Sequence, residues 1–409
     1  MQSVNRTAVG ALVVAEVVST LGSRMTYLAL PWFVLVTTGS PGKMSIVLAV
    51  QMAPMALLGI PSGAVVERLG GRTTMLVSDL ARVPLMAAIP LLHSLGVLGF
   101  PALLGFVFVL GVFMPPYFAS QRVVLPELVG EDERLMAQGN SAIEGGTGIA
   151  GLCGPALAGV LIPLMGAPNV LYVDAATFLV SFLIVLALVP KRRPLRMPAQ
   201  HGVLSGIKFL LGDGLLGPIA ATVVGFGLLG AALSAALPVF AYDAFAGNAR
   251  IAGLFYTSLA GGALAGSIAA MLVVRRVPPL RLAGLAILAF AVPLWLLPFD
   301  PPAAAVIAAL FAAMFFAPLV NGPVFGVLTA RTPEQLRPRV MTALISANTL
   351  AAPLGFLIAG HAIERWGVTV VFAAVPAGIT VLALAFASIA LRHRGEDAVL
   401  AAASPVAAT

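Results

Sequence analysis

The 409-residue chain is 60% hydrophobic and 10% charged, with mean hydropathy +1.04, where an ordinary soluble domain is about 45–50% apolar and about 25% charged. About 245 apolar residues, at roughly 20 per span, make about twelve spanning helices and leave no room for a soluble catalytic domain. An all-α membrane protein is expected, with the lipid bilayer as its solvent, and an enzyme is not. The net charge of +7 would suggest nucleic acid in a soluble protein. Here it reads as positively charged loops on one membrane face, and no nucleic-acid partner is expected. One cysteine, Cys153, excludes an internal disulfide, and His93, His201, His361 and His393 are scattered without ligand spacing, so no metal or cofactor is expected.

In chain order, the first span is expected over 8–37. Its apolar run from Thr7 to Val36 is too long for a signal-peptide core. Glu16, Thr20, Ser23, Arg24 and Tyr27 recur along it at helical spacing. A polar stripe of this kind facing lipid would be penalised, so it is expected to line a water-filled cavity. The next spans are 44–66, 73–93 with Asp79 and Arg82, and 98–119 with Phe113, Met114 and Tyr117. Two more follow: 140–163 with Glu144, Gly154, Pro155 and Gly159, and 168–189 with Asp174. A basic linker, Lys191-Arg192-Arg193-Pro194-Leu195-Arg196, precedes 200–213, which suits an amphipathic helix on the inner membrane surface.

The second set comprises 215–240, 250–273 with Tyr256, 281–299, 303–328 with Met314, Phe315, Phe316 and Asn321, 340–363 with Asn348, and 367–391. The chain thus divides into a six-helix half (1–190), the linker (191–214), a second half (215–394) and a tail (395–409) expected to be disordered, Ala-rich and without a charged side chain from Leu400 on. With the N-terminus inside, the inner loops and tails hold 18 of the Lys and Arg residues and the outer loops three, Lys43, Arg250 and Arg365. That bias puts both termini in the cytoplasm and supports an even number of spans.

The halves echo each other. Ala29-Leu30-Pro31-Trp32-Phe33 is matched by Ala236-Leu237-Pro238-Val239-Phe240, Pro126-Glu127 by Pro333-Glu334, and Gly154-Pro155 by Ala352-Pro353. Each half reads as one copy of a six-helix unit, a construction common in secondary transporters.

The loop Gly63-Ala64-Val65-Val66-Glu67-Arg68-Leu69-Gly70-Gly71-Arg72 resembles the signature loop of the major facilitator superfamily, G-x-x-x-D-R-x-G-R-R/K. Gly63, Arg68, Gly70 and Arg72 match, Glu67 stands for the Asp, and Gly71 replaces an Arg. Ala150-Gly151-Leu152-Cys153-Gly154-Pro155-Ala156-Leu157-Ala158-Gly159 is similar to that superfamily's antiporter motif, GxxxGPxxGG, through Gly154, Pro155 and Gly159. Segment 116–159 and Asp79-Leu80-Ala81-Arg82 resemble the branch that holds enterobactin exporters and macrolide efflux pumps. Segment 100–119 lacks the arginine that many drug–proton antiporters carry in span four.

The resemblance implies the major facilitator fold: two six-helix pseudo-repeats, a cytoplasmic gate at Gly63, Glu67, Arg68, Gly70 and Arg72, exchange of substrate against protons, and a monomer. It also implies secondary export of a small amphipathic organic compound such as a drug, siderophore or secondary metabolite. A proton-coupled nutrient importer and a non-transporting membrane scaffold are the alternatives.

Charged groups within spans are costly and mark function. Glu16, Asp79, Arg82 and Glu144 are expected to form an inner cluster, and Arg24 with Asp174 an outer pair. Asp79 and Arg82, three residues apart, share a helix face and could simply neutralise each other. Glu16 is the first candidate for the proton carrier, with Glu144 second and Asp79 and Asp174 after them. Arg24 and Arg82 are charge partners. Thr20, Tyr27, Phe113, Tyr117, Tyr256, Phe316, Asn321 and Asn348 are candidates to line an adaptable substrate cavity.

Overall fold

The computed structural model describes residues 6–59, 61–130, 132–191, 203–273 and 277–392. Among these residues the chain is helical with no strand. The helices are α1 (Arg6–Thr38), α2 (Pro41–Leu58), α3 (Ser62–Leu69), α4 (Gly71–Ser94), α5 (Phe100–Val112), α6 (Met114–Val129), α7 (Glu133–Met165) and α8 (Ala167–Leu188). There follow α9 (Val203–Gly212), α10 (Leu216–Ala244), α11 (Ala249–Val273), α12 (Pro279–Leu294), α13 (Ala303–Arg331), α14 (Arg337–Trp366) and α15 (Val368–Arg392). Twelve stretches are long and apolar enough to cross a membrane, with α5 and α6 counted as one from Phe100 to Val129. The protein is a multi-pass membrane protein.

Local chemistry explains where helices start and break. Ser40 caps α2 by accepting from the Lys43 amide at 3.1 Å, and Asp132 caps α7 by accepting from Leu135 at 3.0 Å. The latter starts α7 seven residues before the expected 140. Expected span four ended at 119, but the helix restarts at Met114, after Phe113, and runs to Val129. Two prolines in its first turn fit there because N-terminal positions need no amide donor.

Two compact units form. One contains residues 1–199 and 241–257, the other 200–240 and 258–409. This grouping differs from the sequence division, because the end of α10 and the start of α11 pack with the first six spans. In the first unit α1 is the central helix, flanked by α8 and α7, while α4 packs on α8 and α6. In the second unit α12 packs on α13 and α15.

Helix α9 docks on α14. Gly206 makes the contact possible: a Cβ there would overlap the backbone of Arg339 and Val340. Residues 192–202 of the linker and the tail from 395 lie outside the described residues.

Candidate functional site

The charged groups of the first unit sort into three places. The deepest is a closed ion pair on α4. Asp79 and Arg82 are 0% and 3% exposed and lie 2.6 Å apart. The second oxygen of Asp79 accepts from the Ser181 hydroxyl of α8 at 2.7 Å, and Arg82 Nε donates to the Ser78 carbonyl at 3.1 Å. The guanidinium is sandwiched between the rings of Tyr117 and Phe178, 4.5 and 4.2 Å from their centroids. Planar delocalised charge suits that position. Tyr117, expected to line a substrate cavity, is instead 3% exposed and belongs to this charge cluster. Its phenyl body and hydroxyl make it a better cover for a cation than a hydrocarbon wall.

Glu16 of α1 lies beside this pair and is 1% exposed. One of its oxygens accepts from the Thr20 hydroxyl, one turn along α1, at 3.4 Å. The other has no hydrogen-bond partner among the described residues. Tyr117 and Gln121 of α6 are its neighbours, and the Tyr117 hydroxyl and Gln121 amide nitrogen are likewise buried without a partner. Both are donors that face the carboxylate. Glu144, expected in the same cluster, is exposed on α7. The structure does not bring it into the buried network.

The expected Arg24–Asp174 pair is absent. Asp174 of α8 is fully buried and accepts from Thr26 of α1 at 2.6 Å and from its own helix neighbour Thr177 at 3.2 Å. Gly22 lets α8 approach, since a Cβ there would overlap Thr177 and Asp174. Gly22 and Thr26 therefore face α8. Arg24 is two residues from each, about 200° round the helix, so it points away. It is exposed and forms no ion pair with the described residues.

The antiporter-like segment works as a packing surface. A Cβ on Gly154 would stand 2.5 Å from Arg24 Cβ and 3.1 Å from the Leu21 carbonyl, so this glycine seats α1. Gly159 seats the start of α11: its Cβ would stand 3.1 Å from the Ala249 carbonyl and 3.2 Å from Gly253 Cα. A Cβ on Gly253 would in turn meet the Pro155 carbonyl at 2.6 Å. The Thr257 hydroxyl donates to the Leu152 carbonyl at 3.4 Å. Small residues allow this backbone approach, and lipid supplies no hydrophobic force to replace it.

In the signature loop, Arg72 satisfies the end of α8, donating to the carbonyls of Val189 at 2.5 Å and Leu186 at 2.8 Å. Helix C-termini carry unpaired carbonyls and partial negative charge, which an arginine suits. Gly70, at φ +81°, makes the turn between α3 and α4. At Gly71, where the resembled motif has Arg, a Cβ would meet Val124 at 2.7 Å. Gly63, Glu67 and Arg68 are exposed, and Glu67 and Arg68 form no ion pair with the described residues.

The remaining cavity candidates separate. Tyr27 and Tyr256 meet edge to face, centroids 5.8 Å apart. Thr20 is half-buried beside Glu16. Phe113 lines an apolar cavity of about 220 Å³ with Leu58, Val65, Val77 and Pro116. Phe316, half-buried, is edge to face with Phe315. Asn321 is exposed, and Asn348 packs over Gly227 of α10. These last three belong to the second unit.

The Major Facilitator Superfamily profile matches residues 12–325, and the chain belongs to this family. It is 26% identical over 370 residues to the multidrug efflux pump Tap of Mycolicibacterium fortuitum, covering 86% of this chain and 88% of that protein. It is also 26% identical over 397 residues to the multidrug efflux pump Tap of Mycobacterium tuberculosis, covering 91% of each. Among solved structures, the nucleoside transporter NupG superposes with a TM-score of 0.73 at 14% identity, over 93% of this chain and 98% of that one. A bacterial homolog of the human lysosomal transporter Spinster gives 0.70 at 13% identity, over 97% and 99%. At such identities these two matches establish the fold alone.

Proposed function

We propose that the protein is a secondary exporter of amphipathic organic compounds, driven by proton entry, with Glu16 as the proton carrier. The observation that carries the coupling is the contrast between the two acids of the inner cluster. Asp79 is closed on both oxygens by Arg82 and Ser181. Glu16 keeps one oxygen unpartnered on the helix that bears the polar stripe. A buried carboxylate without a cation of its own is stable when protonated and costly when charged, so its proton can be exchanged for work elsewhere in the cycle. Asp79 and Arg82 set a fixed local field for it. The outward direction and the substrate class are supported by the relatives, which are named multidrug efflux pumps. The 18-to-3 distribution of Lys and Arg supports both termini lying on the cytoplasmic side.

Transport proceeds by alternating access, the two repeats rocking about a site near the membrane midplane. The test is retention of a lipophilic fluorescent dye in cells that lack their own pumps. Expression of the wild type is expected to lower dye retention, collapse of the proton gradient to abolish the effect, and Glu16→Gln to mimic collapse. Dye retention that ignores the proton gradient overturns the coupling.

A further inference from the structure

Arg24 of the first unit forms no ion pair among the described residues, and its position suits a ligand. Arg24 lies two residues from the midpoint of α1 (Arg6–Thr38), about 27 Å from one end and about 21 Å from the other at ~1.5 Å per residue. A side chain at that depth cannot reach either membrane surface. Facing hydrocarbon there would be prohibitive, so its exposure means a water-filled interior. Tyr27, one turn further along the same stripe, supports this orientation: its ring is met by Tyr256 of α11, so protein and not lipid faces the stripe at that level.

No acid among the described residues of the first unit, Asp243 included, forms an ion pair with Arg24. Asp174 is taken by Thr26 and Thr177. Asp79 is taken by Arg82. Glu16 is buried and lies two turns away along α1. Glu144 is ten residues from Gly154, the α7 residue packed on Arg24, and so about 15 Å along that helix. The spans of the second half carry no acid at depth. On the other side of the Tyr27–Tyr256 contact, Arg250 is exposed at the start of α11, its backbone against Gly159. The Gly154–Gly159 face of α7 therefore has one exposed arginine at each end.

We propose that Arg24 is the substrate's counter-ion and that the site selects anionic amphipathic compounds, those bearing a carboxylate, sulfonate or phosphate beside an aromatic or aliphatic body. This deepens the exporter reading and rests on it. Guanidinium matches such oxyanions with two parallel donors. The Tyr27–Tyr256 edge supplies the apolar contact at the next turn, and Arg250 gives the anion a second station beyond it.

The experiment uses the full chain in lipid nanodiscs and two dyes on one xanthene frame, anionic carboxyfluorescein and cationic rhodamine 123. Equilibrium binding of the anion is expected to exceed that of the cation by about tenfold or more. Arg24→Gln is expected to remove that preference, and Arg24→Lys to keep most of it while remaining monodisperse. Gly148→Ala, at a position with nothing within 4 Å of a built Cβ, is expected to bind the anion as the wild type does. Equal binding of the two dyes, binding of neither, or an anion preference unchanged in Arg24→Gln would overturn the proposal. Binding in nanodiscs needs neither a gradient nor a direction. A protein that prefers the anion but moves no dye out of proteoliposomes counts against the exporter reading. One that expels rhodamine 123 without anion preference counts against Arg24.

Discussion

Asp79 and Arg82 form a 2.6 Å ion pair three residues apart on one helix, and Ser181, Tyr117 and Phe178 pack against it. A pair so buried is an all-or-none device. Removing one partner strands a charge, whereas removing both removes the problem. Arg82→Ala is expected to destabilise the protein by about 3–5 kcal/mol. The double change Asp79→Asn with Arg82→Met should cost much less than the two single changes combined. Thermal unfolding of the purified variants checks this through a double-mutant cycle.

Glycines on α7 differ sharply in what surrounds them. Gly154 and Gly159 abut the backbones of α1 and α11, whereas Gly148 and Gly151 have nothing within 4 Å of a built Cβ. Gly154→Ala and Gly159→Ala are expected to cost about 1–3 kcal/mol each through overpacking. Gly148→Ala should be neutral or slightly stabilising, since alanine favours a helix. Unfolding midpoints and transport rates of the three alanine variants provide the comparison.

Arg72 and Arg68 occupy one signature loop but do different things. Arg72→Ala leaves the carbonyls of Leu186 and Val189 without their donor and is expected to lower stability by about 1 kcal/mol. Arg68 is exposed, so Arg68→Ala should leave stability unchanged and show its effect, if the loop gates transport, in rate alone. Paired measurements of melting and transport separate the two.

Asp213, between α9 and α10, ties that connection to α13. It accepts from the amides of Leu215 and Leu216 at 2.8 and 3.0 Å and faces Arg331 Nε at 3.3 Å. Partial burial works against its charge, but the two amides and Arg331 outweigh it and hold the carboxyl below its ordinary value of 3.8. A depressed carboxyl stabilises the fold fully above the unfolded value and loses that contribution as pH falls through the folded one. Stability of the wild type should therefore decline below about pH 4 at this site. Asp213→Asn should be less stable at neutral pH and show a flatter acid limb. Denaturation as a function of pH checks it.

Much of this architecture was legible because lipid leaves a helix few choices. Apolar runs of the right length, positive loops and repeated Pro-containing patches mark spans, and the twelve stretches follow them. The Asp79–Arg82 pairing was legible too, because three-residue spacing places both on one face. What the sequence hid is rotational. Asp174 looked like the partner of Arg24 by depth alone, yet Gly22 and Thr26 turn the α8-facing side of α1 away from Arg24. Tyr117 looked like a cavity wall because the groups it meets, Arg82 of α4 and through it Phe178 of α8, lie on helices that no local pattern brings together. Gln121 and Ser181 carried a weak signal as uncharged polar residues in largely apolar helices, a reason to look for buried partners. Asp213 was missed as a helix cap, although an acid just before an apolar helix is a standard start signal.

The central claim is that proton movement is tied to substrate movement through Glu16. The most direct test is proton flux into proteoliposomes under an imposed pH gradient, with and without an amphipathic substrate, for the wild type and Glu16→Gln. Substrate-dependent proton flux in the wild type, lost in the variant while substrate binding is kept, is the expected result. Coupled flux that survives Glu16→Gln would contradict the account and move the carrier to another acid.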